Sequence, residues 1–406
     1  MLTSNMSNTA PIRQHNDTDP CDEGFIYDSS SDEERHECND AASLSSLLTP
    51  SEPSKSLEHA AIVYDRYSDD AGDVLEIRQY FHMPRPRAAK EVVIRVEAST
   101  VSFTDTLIRR NNWYKSVSLP ITPGFDVVGT IVSVGEKVRQ RKLFQVGDRV
   151  AALIKRGGNA CYANVHYDKL VKVPGGVDAA EAACVTHIYT SAYQALRCAR
   201  NSLTLAGAKV LVTGGNGPIG EAIVELSKKA GAEAVYATAH ERYHPHLKSL
   251  GAICLPFECT EWLPKVKGQM DVVIDSICQD DYISPQAALN NDGRLVCTGM
   301  TAIVSGDAPA SSSFLGTSAT AMWTSLKSSY LMKQTCSYDV WSSFKAKPDD
   351  FKRDLEYLLQ LLRKHEIQPN VQERIGLEEV ANAHYRLERG QEKGCIVCTP
   401  WKKILR

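Results

Sequence analysis

Three glycines at three-residue spacing, Gly214, Gly217 and Gly220, follow the β-branched run at residues 209–213 within KVLVTGGNGPIGEA. A buried strand that passes through such a turn into a helix can bring bare backbone up to a pyrophosphate. No Cβ stands in the way, and the first helical N–H groups have no partners of their own. Pro218 suits the first helical turn, where a missing N–H costs nothing. A turn of this kind serves either as a tight connection or as a dinucleotide site, and the rest of the chain has to distinguish the two.

A dinucleotide reading makes the end of the next strand informative. An acidic residue there accepts the ribose 2′-OH of NAD and repels the 2′-phosphate of NADP. This chain has Ala237, Thr238, Ala239 and His240, then Arg242. A guanidinium without a carboxylate at the strand tip favours NADP(H), since Arg binds phosphate bidentately. Glu241 beside it could neutralise the arginine. The expected cofactor contacts are Gly214, Asn216, Gly217, Pro218, Ile219, Gly220, Thr238, His240, Arg242 and Gly299.

Two other clusters suggest chemistry and fail on spacing. His240, His244 and His246 are interrupted by Pro245, and no Cys or carboxylate completes a clear metal set, so a solvated turn is expected. Cys395 and Cys398 form the one C-x-x-C, but they lie in an apparent strand where residues three apart face opposite sides. Core thiols are the reading there, rather than a metal or redox pair.

Short β-branched runs with glycine punctuation occupy residues 61–65, 91–96, 127–134, 148–153 and 168–173, marking a small β-rich unit. An Ala-rich helical run at 179–196 then leads into the glycine turn. Strands at 234–238, 271–275 and 294–298 alternate with helical segments, which predicts a doubly wound parallel sheet. Ligands of such sheets bind outside the carboxyl ends of the strands, where the Gly214 turn lies. Residues 301–329, rich in Ser, Ala and Thr, read as a loop lining a substrate pocket or as a pinned surface insertion. An edge strand at 334–344, helices at 349–365 and 376–389, and a closing strand at 394–399 complete the pattern.

With 406 residues, 43% of them hydrophobic, the chain can bury two cores, and a net charge of -3 argues against a general nucleic-acid binder. No apolar run reaches the roughly 20 residues of a membrane span, and the N-terminus lacks a signal-peptide core. A cytoplasmic protein is expected. Its 12 cysteines lack framework spacing, so reduced thiols follow. Residues 1–57, with the acidic run SSSDEE at 29–34, cannot bury enough surface to offset their ordering entropy and read as a disordered acidic tail. Phosphorylation at residues 29–31 would suit it, though a solvating tail without a site is favoured.

Taken together, the segments EVVIRVEASTVSFTDTLIRR, PGFDVVGTIVSVGE, GDRVAAL, DKLVKVP, VLVTGGNGPIG and IQPNVQERIGLEEVANAHYRLERGQEKGCIVCTP resemble the medium-chain dehydrogenase/reductase superfamily. Within it, they are similar to the zinc-independent quinone oxidoreductase, or zeta-crystallin-like, branch. The resemblance implies an α/β fold in which a Rossmann domain, residues 184–345, is inserted into a β-rich, GroES-like catalytic domain, residues 58–183 and 346–406. Zinc-dependent relatives have a cysteine where this chain has Ser102 and Gly-His-Glu where it has Gly124, Phe125 and Asp126. Phe125 cannot bind metal and Ser102 is a poor zinc ligand, so no metal is expected. The structural-zinc cysteines are also missing.

The resemblance further implies an NADPH-dependent oxidoreductase acting on a small molecule, a quinone or an α,β-unsaturated carbonyl such as an enone, alkenal or enoyl thioester. Tyr114 matches an aromatic position near the substrate, although a tyrosine packing the cleft rim fits as well. Ser102 replaces the asparagine of this branch, and Ser191 stands where relatives carry a threonine near the nicotinamide. Asp105 matches a shared aspartate whose expected work is to accept backbone N–H groups. No single general acid is assigned, since water or the cofactor ribose can deliver the proton. Relatives suggest a homodimer. The alternative is a catalytically weak NADPH-binding protein acting through a protein partner, and a zinc-dependent alcohol dehydrogenase ranks third.

Overall fold

The computed structural model describes residues 58–113, 117–200, 204–299, 334–390 and 392–402. The acidic tail, Tyr114 and the loop at 301–329 lie outside the described residues. In chain order the strands are β1 (His59–Val63), β2 (Glu76–Tyr80), β3 (Glu91–Val101), β4 (Asp126–Val134), β5 (Arg149–Leu153), β6 (Tyr162–His166) and β7 (Val171–Lys172). There follow β8 (Lys209–Val212), β9 (Ala234–Thr238), β10 (Ile253–Leu255), β11 (Met270–Asp275), β12 (Leu289–Cys297) and β13 (Thr335–Ser337), then β14 (Val371–Ile375) and β15 (Cys395–Cys398).

The middle group forms a six-stranded sheet in the order β10-β9-β8-β11-β12-β13, parallel at every pairing. This is the doubly wound order in which the crevice between the first and fourth strands, here β8 and β11, is the switch point that receives ligands. Val210, Val212, Val272 and Ile274 of those two strands are buried, as interior parallel strands require.

A second sheet runs β14-β15-β3-β4-β5-β7, with β6 also on β3. The end of the chain returns to it: β15 pairs antiparallel with β3, matching Ile396 to Val101. Cys395 packs in the core around the 179–199 helices and Cys398 in the core with Ile62 and Ile375, so the two thiols fall on opposite sides of β15. β1 and β2 form a small separate hairpin sheet.

The helical run after β7 is a chain of three pieces: Ala179–Cys184, a π-helical turn Val185–Tyr189, and Thr190–Ala199. Asp178 caps the first by accepting from the N–H groups of Ala180 and Glu181. At the second, the Thr190 hydroxyl donates to Val185 O, five residues back, at 2.9 Å. Such turns offset the helix face and recur at functional sites.

Two expected strands are corrected. Residues 168–173 open as a 3₁₀ turn, Tyr167–Lys169, because His166 accepts from Asp168 N, and only Val171–Lys172 pair with β5. Within 334–344 the strand stops at Ser337, since Asp339 accepts from Ser342 N at 2.7 Å and starts the helix Val340–Ala346. The following helix, Pro348–Arg363, buries Phe351, Leu355, Leu358, Leu359 and Leu362. From its face Asp354 accepts from Gln194 Nε2 at 2.7 Å and Arg197 at 2.6 Å, holding the helix Thr190–Ala199 in place.

Candidate cofactor and substrate cleft

At the switch point, the turn after β8 is tied down on both sides. The Thr213 hydroxyl donates to Asp275 Oδ1 at 2.8 Å, Gly214 N donates to Thr238 Oγ1 at 3.2 Å, and Gly215 N donates to Thr238 O at 2.9 Å. Gly214 has φ +65°, a conformation that favours glycine. The helix Pro218–Lys229 then starts with Gly217 as its N-cap and no side-chain cap. A Cβ at Gly220 would come within 2.4 Å of Gly214 O, so that glycine lets the helix pack on the turn. A Cβ at Gly217 would meet only Gly214 O, at an ordinary 3.5 Å. Protein packing does not demand glycine there, which leaves room for close approach of a ligand. An uncapped helix start, half-exposed from Asn216 to Ile219, fits a pyrophosphate.

Glu221, acidic and one residue past the third glycine, does not oppose this. Its carboxylate is buried, accepts from Asn370 Nδ2 at 3.0 Å and lies 3.0 Å from His246 Nε2, so it faces those two groups beside the turn.

At the end of β9, Thr238 is enclosed and serves the turn through both its oxygens. His240 is exposed and stacks on Phe257, ring centroids 4.4 Å apart, giving a flat platform at the rim. Arg242 is exposed, with its guanidinium over the Tyr243 ring at 4.8 Å and one long bond, 3.3 Å, to Gly390 O. Gly299, just past β12, lies against Ser276, whose carbonyl a Cβ would approach to 2.9 Å, and its own carbonyl accepts from Tyr282. The expectation of a solvated histidine turn is corrected. His244 Nε2 bonds the carbonyls of Ala239 and Leu255, joining the ends of β9 and β10, and His246 pairs with Glu221.

The opposite wall comes from the second sheet. Ser102 caps the helix Phe103–Arg109 in a reciprocal box: Asp105 N donates to Ser102 Oγ at 3.3 Å, while Ser102 N and Oγ both donate to Asp105 Oδ2 at 2.9 Å. Asp105 Oδ1 also accepts from Gly124 N at 2.9 Å, which matches the structural work expected of it. Next along the chain, Phe125 packs with Tyr64, Ile108 and Ile121 and faces His187 at 6.0 Å and Trp341 at 5.6 Å. His187 and Trp341 are 6.4 Å apart, so the three rings make one aromatic surface. His187 Nδ1 is buried without a hydrogen-bond partner, and burial pulls the ring down to about 4, which keeps it neutral. Ser191, one helical turn on, donates to His187 O at 2.6 Å.

These side chains do not fit zinc. The position that would supply imidazole is the hydrocarbon ring of Phe125, and Ser102 is committed to its cap. Asp126 is buried and accepts from the N–H and hydroxyl of Thr100. Among the described residues, no group of three or more His, Cys, Asp or Glu could hold a metal ion.

Burial pushes Asp105 up to about 6 and Asp126 up to about 7, against the pull of their hydrogen bonds. In the folded state both hold protons that the unfolded chain releases near 3.8. Between those values the native state binds more protons, so this contribution is fully present at acid pH and is lost as pH rises through the folded values. Asp126→Asn keeps an acceptor for Thr100 N and removes the titration. Its urea midpoint is expected to change less between pH 5 and pH 8 than that of the wild type.

Sequence reasoning named Ser102 and Ser191 as catalytic candidates and set the glycine turn at the carboxyl ends of the strands; the turn follows β8 there, Ser102 caps the helix Phe103–Arg109, and Ser191 bonds His187 O. It did not find His187, Trp341 or Phe257. His187 left one signal, a histidine four residues before Ser191 in an Ala-rich helical run. Trp341 left none, being far along the chain from both rings it touches.

Residues 88–196 match the alcohol dehydrogenase GroES-like domain, and residues 257–398 match the zinc-binding dehydrogenase family. A quinone oxidoreductase of Lama guanicoe is 30% identical over 249 residues, covering 58% of this chain and 72% of its own. The human synaptic vesicle membrane protein VAT-1 homolog-like is 26% identical over 321 residues, covering 76% of this chain and 74% of its own. The solved quinone oxidoreductase of Coxiella burnetii superposes with a TM-score of 0.66 at 23% identity, covering 84% of this chain and 99% of that one.

Proposed function

The chain belongs to the medium-chain dehydrogenase/reductase superfamily, in its quinone oxidoreductase-like branch, and from that premise we propose that it is a zinc-independent, NADPH-dependent reductase of quinones or α,β-unsaturated carbonyls. What carries the reading is Gly217, a glycine that its neighbours do not require at an uncapped helix start in the switch-point crevice. The division proposed is a Rossmann domain at 184–345 within a GroES-like domain at 58–183 and 346–406, with a homodimer as the assembly.

Bound NADPH supplies a hydride from its nicotinamide ring. The protein's part is to hold, orient and dry. The backbone N–H groups of Asn216, Ile219 and Gly220 would face the pyrophosphate, Pro218 having no N–H and Gly217 N already donating to Gly214 O at 3.1 Å, while the His240–Phe257 stack would offer a platform at the adenosine end and Arg242 would take the 2′-phosphate. Across the cleft, the surface of Phe125, Trp341 and His187 receives a flat, electron-poor acceptor and excludes water. A neutral His187 can donate a hydrogen bond to the oxygen where negative charge develops, the task a metal performs in zinc enzymes. Ser191 holds the His187 carbonyl and so the local helix geometry. Water delivers the final proton.

The test follows NADPH absorbance over a panel of quinones, alkenals and enoyl thioesters. Turnover on at least one acceptor class is expected. Tight NADPH binding with no turnover on any of them would instead favour a binding protein that acts through a partner. For cofactor choice, Arg242→Ala is expected to weaken NADPH binding about 10-fold, or ~1.4 kcal/mol, and leave NADH binding unchanged. An unaltered NADPH/NADH ratio would remove Arg242 from the 2′-phosphate site.

A further inference from the structure

Ten free cysteines lie among the described residues, and two pairs of them meet thiol to thiol. Cys184 and Cys395 are hydrogen-bonded to each other in the core, both buried, and that contact together with burial pushes the Cys184 thiol far up. Such a pair is inert. Cys198 and Cys336 differ in every respect that governs reactivity.

Cys198 lies in the last turn of the helix Thr190–Ala199, and Cys336 is the middle residue of β13, the edge strand of the parallel sheet. The Cys336 thiol is 3.8 Å from Cys198 O and 3.8 Å from Leu295 O, and the two thiols are hydrogen-bonded to each other. Both are half-buried, which admits a small solute. The Cys336 hydrogen bond first, and then the positive charges of Arg197, Lys347 and Arg294, pull Cys198 down to about 7, while the same contact pushes Cys336 up. Cys198 is thereby the sulfur that ionises more readily and Cys336 the one that keeps its proton, the division of labour of an attacking and a resolving cysteine.

We infer that Cys198 and Cys336 form a dithiol oxidised by hydroperoxides to a disulfide that clamps the helix Thr190–Ala199 to the edge strand β13. The Cys198 thiolate attacks one peroxide oxygen, breaking the O–O bond to give a sulfenic acid and releasing hydroxide or alkoxide. The Cys336 sulfur then attacks the sulfenic sulfur, forming S–S, and its proton leaves with the sulfenic oxygen as water. Two thiols are oxidised by two electrons and one peroxide is reduced; a small dithiol such as dithiothreitol reverses the bond. The clamp would sit one helical turn from Gln194, whose side-chain oxygen accepts from Tyr338, two residues beyond Cys336. None of this depends on which acceptor takes the hydride.

The experiment is peptide mapping of the full-length protein after hydrogen peroxide, with remaining thiols blocked by N-ethylmaleimide. A Cys198–Cys336 cross-linked peptide pair is expected, lost on dithiothreitol treatment, with Cys184 and Cys395 recovered unlinked. In Cys336→Ser, Cys198 should stop as a sulfenic acid trapped by dimedone, and in Cys198→Ser, Cys336 should remain a thiol. Without peroxide, Cys198 should alkylate at pH 7 about 10-fold faster than Cys254. Over-oxidation of Cys198 in the wild type with no cross-link, or equal peroxide reactivity of Cys336 in Cys198→Ser, overturns the inference.

Discussion

Gly220→Ala is expected to abolish cofactor binding and to lower the unfolding free energy by about 2–4 kcal/mol, while Gly217→Ala, three residues earlier, leaves stability intact and weakens binding ~10- to 100-fold. The added methyl at Gly220 meets Gly214 O at 2.4 Å and Gly215 Cα at 2.8 Å, both backbone atoms of a turn already fixed by Thr238 and Asp275. Neither side can give, so the helix must lift off the turn. At Gly217 the methyl has room, and the backbone φ of -77° suits alanine, so the unfolded-state entropy gain is free to stabilise the fold slightly. Only an occupant of the space in front of the helix start would feel that methyl. Urea unfolding without cofactor, paired with NADPH titration by fluorescence, separates the two effects. If Gly217→Ala binds NADPH as tightly as the wild type, the turn is a tight connection and no pyrophosphate site.

The contrast also shows why this region was legible in the sequence. A β-branched run, glycines at fixed spacing and Pro218 are all local signals, and β8, the turn and the helix Pro218–Lys229 follow from them; so does β9, which spans the expected residues. Elements that depend on distant partners were not legible. β6 reads YANVH, with little hydrophobic patterning, and exists because β3 offers it an edge. The helix Phe103–Arg109 was hidden because Ser102 reads as a ligand position and Asp105 as an acceptor for backbone N–H groups, and neither reading alone shows that the two close one capping box. The π-helical turn at Val185–Tyr189 leaves apolar periodicity almost unchanged, so 179–196 reads as one helix although His187 and Ser191 are displaced by it. The aromatic surface of Phe125, His187 and Trp341 requires the two sheets to be placed first, and no spacing in the chain encodes that.

Glu388→Gln is expected to cost about 3 kcal/mol of stability, although Glu388 lies far from the cleft along the chain. Its carboxylate pairs with Arg109, whose side chain is 0% exposed and whose other bond, at 2.7 Å, goes to Ser68 O. Arg109 Nε has no hydrogen-bond partner, and neither ring nitrogen of the buried His384, one turn before Glu388, has one. Burial first, and then the Arg109 charge, pull His384 down to about 3, so it stays neutral and cannot share the load. Removing the carboxylate's charge therefore leaves a guanidinium in low dielectric with one hydrogen-bonded carbonyl and only the exposed, more distant Asp70 charge to balance it. The double replacement Arg109→Met with Glu388→Leu removes both charges and should recover most of the loss, which a simple packing defect would not allow. Urea denaturation of the two variants decides the matter: a Glu388→Gln loss within about 0.5 kcal/mol of zero would mean that water screens the pair. The consequence reaches the cleft because Arg109 ends the helix that Ser102 begins. The pair fastens that helix to Val380–Glu388 from the chain's far end, and so supports, together with the Gly124 N to Asp105 bond, the place of the Ser102 and Asp105 cap beside Gly124 and Phe125.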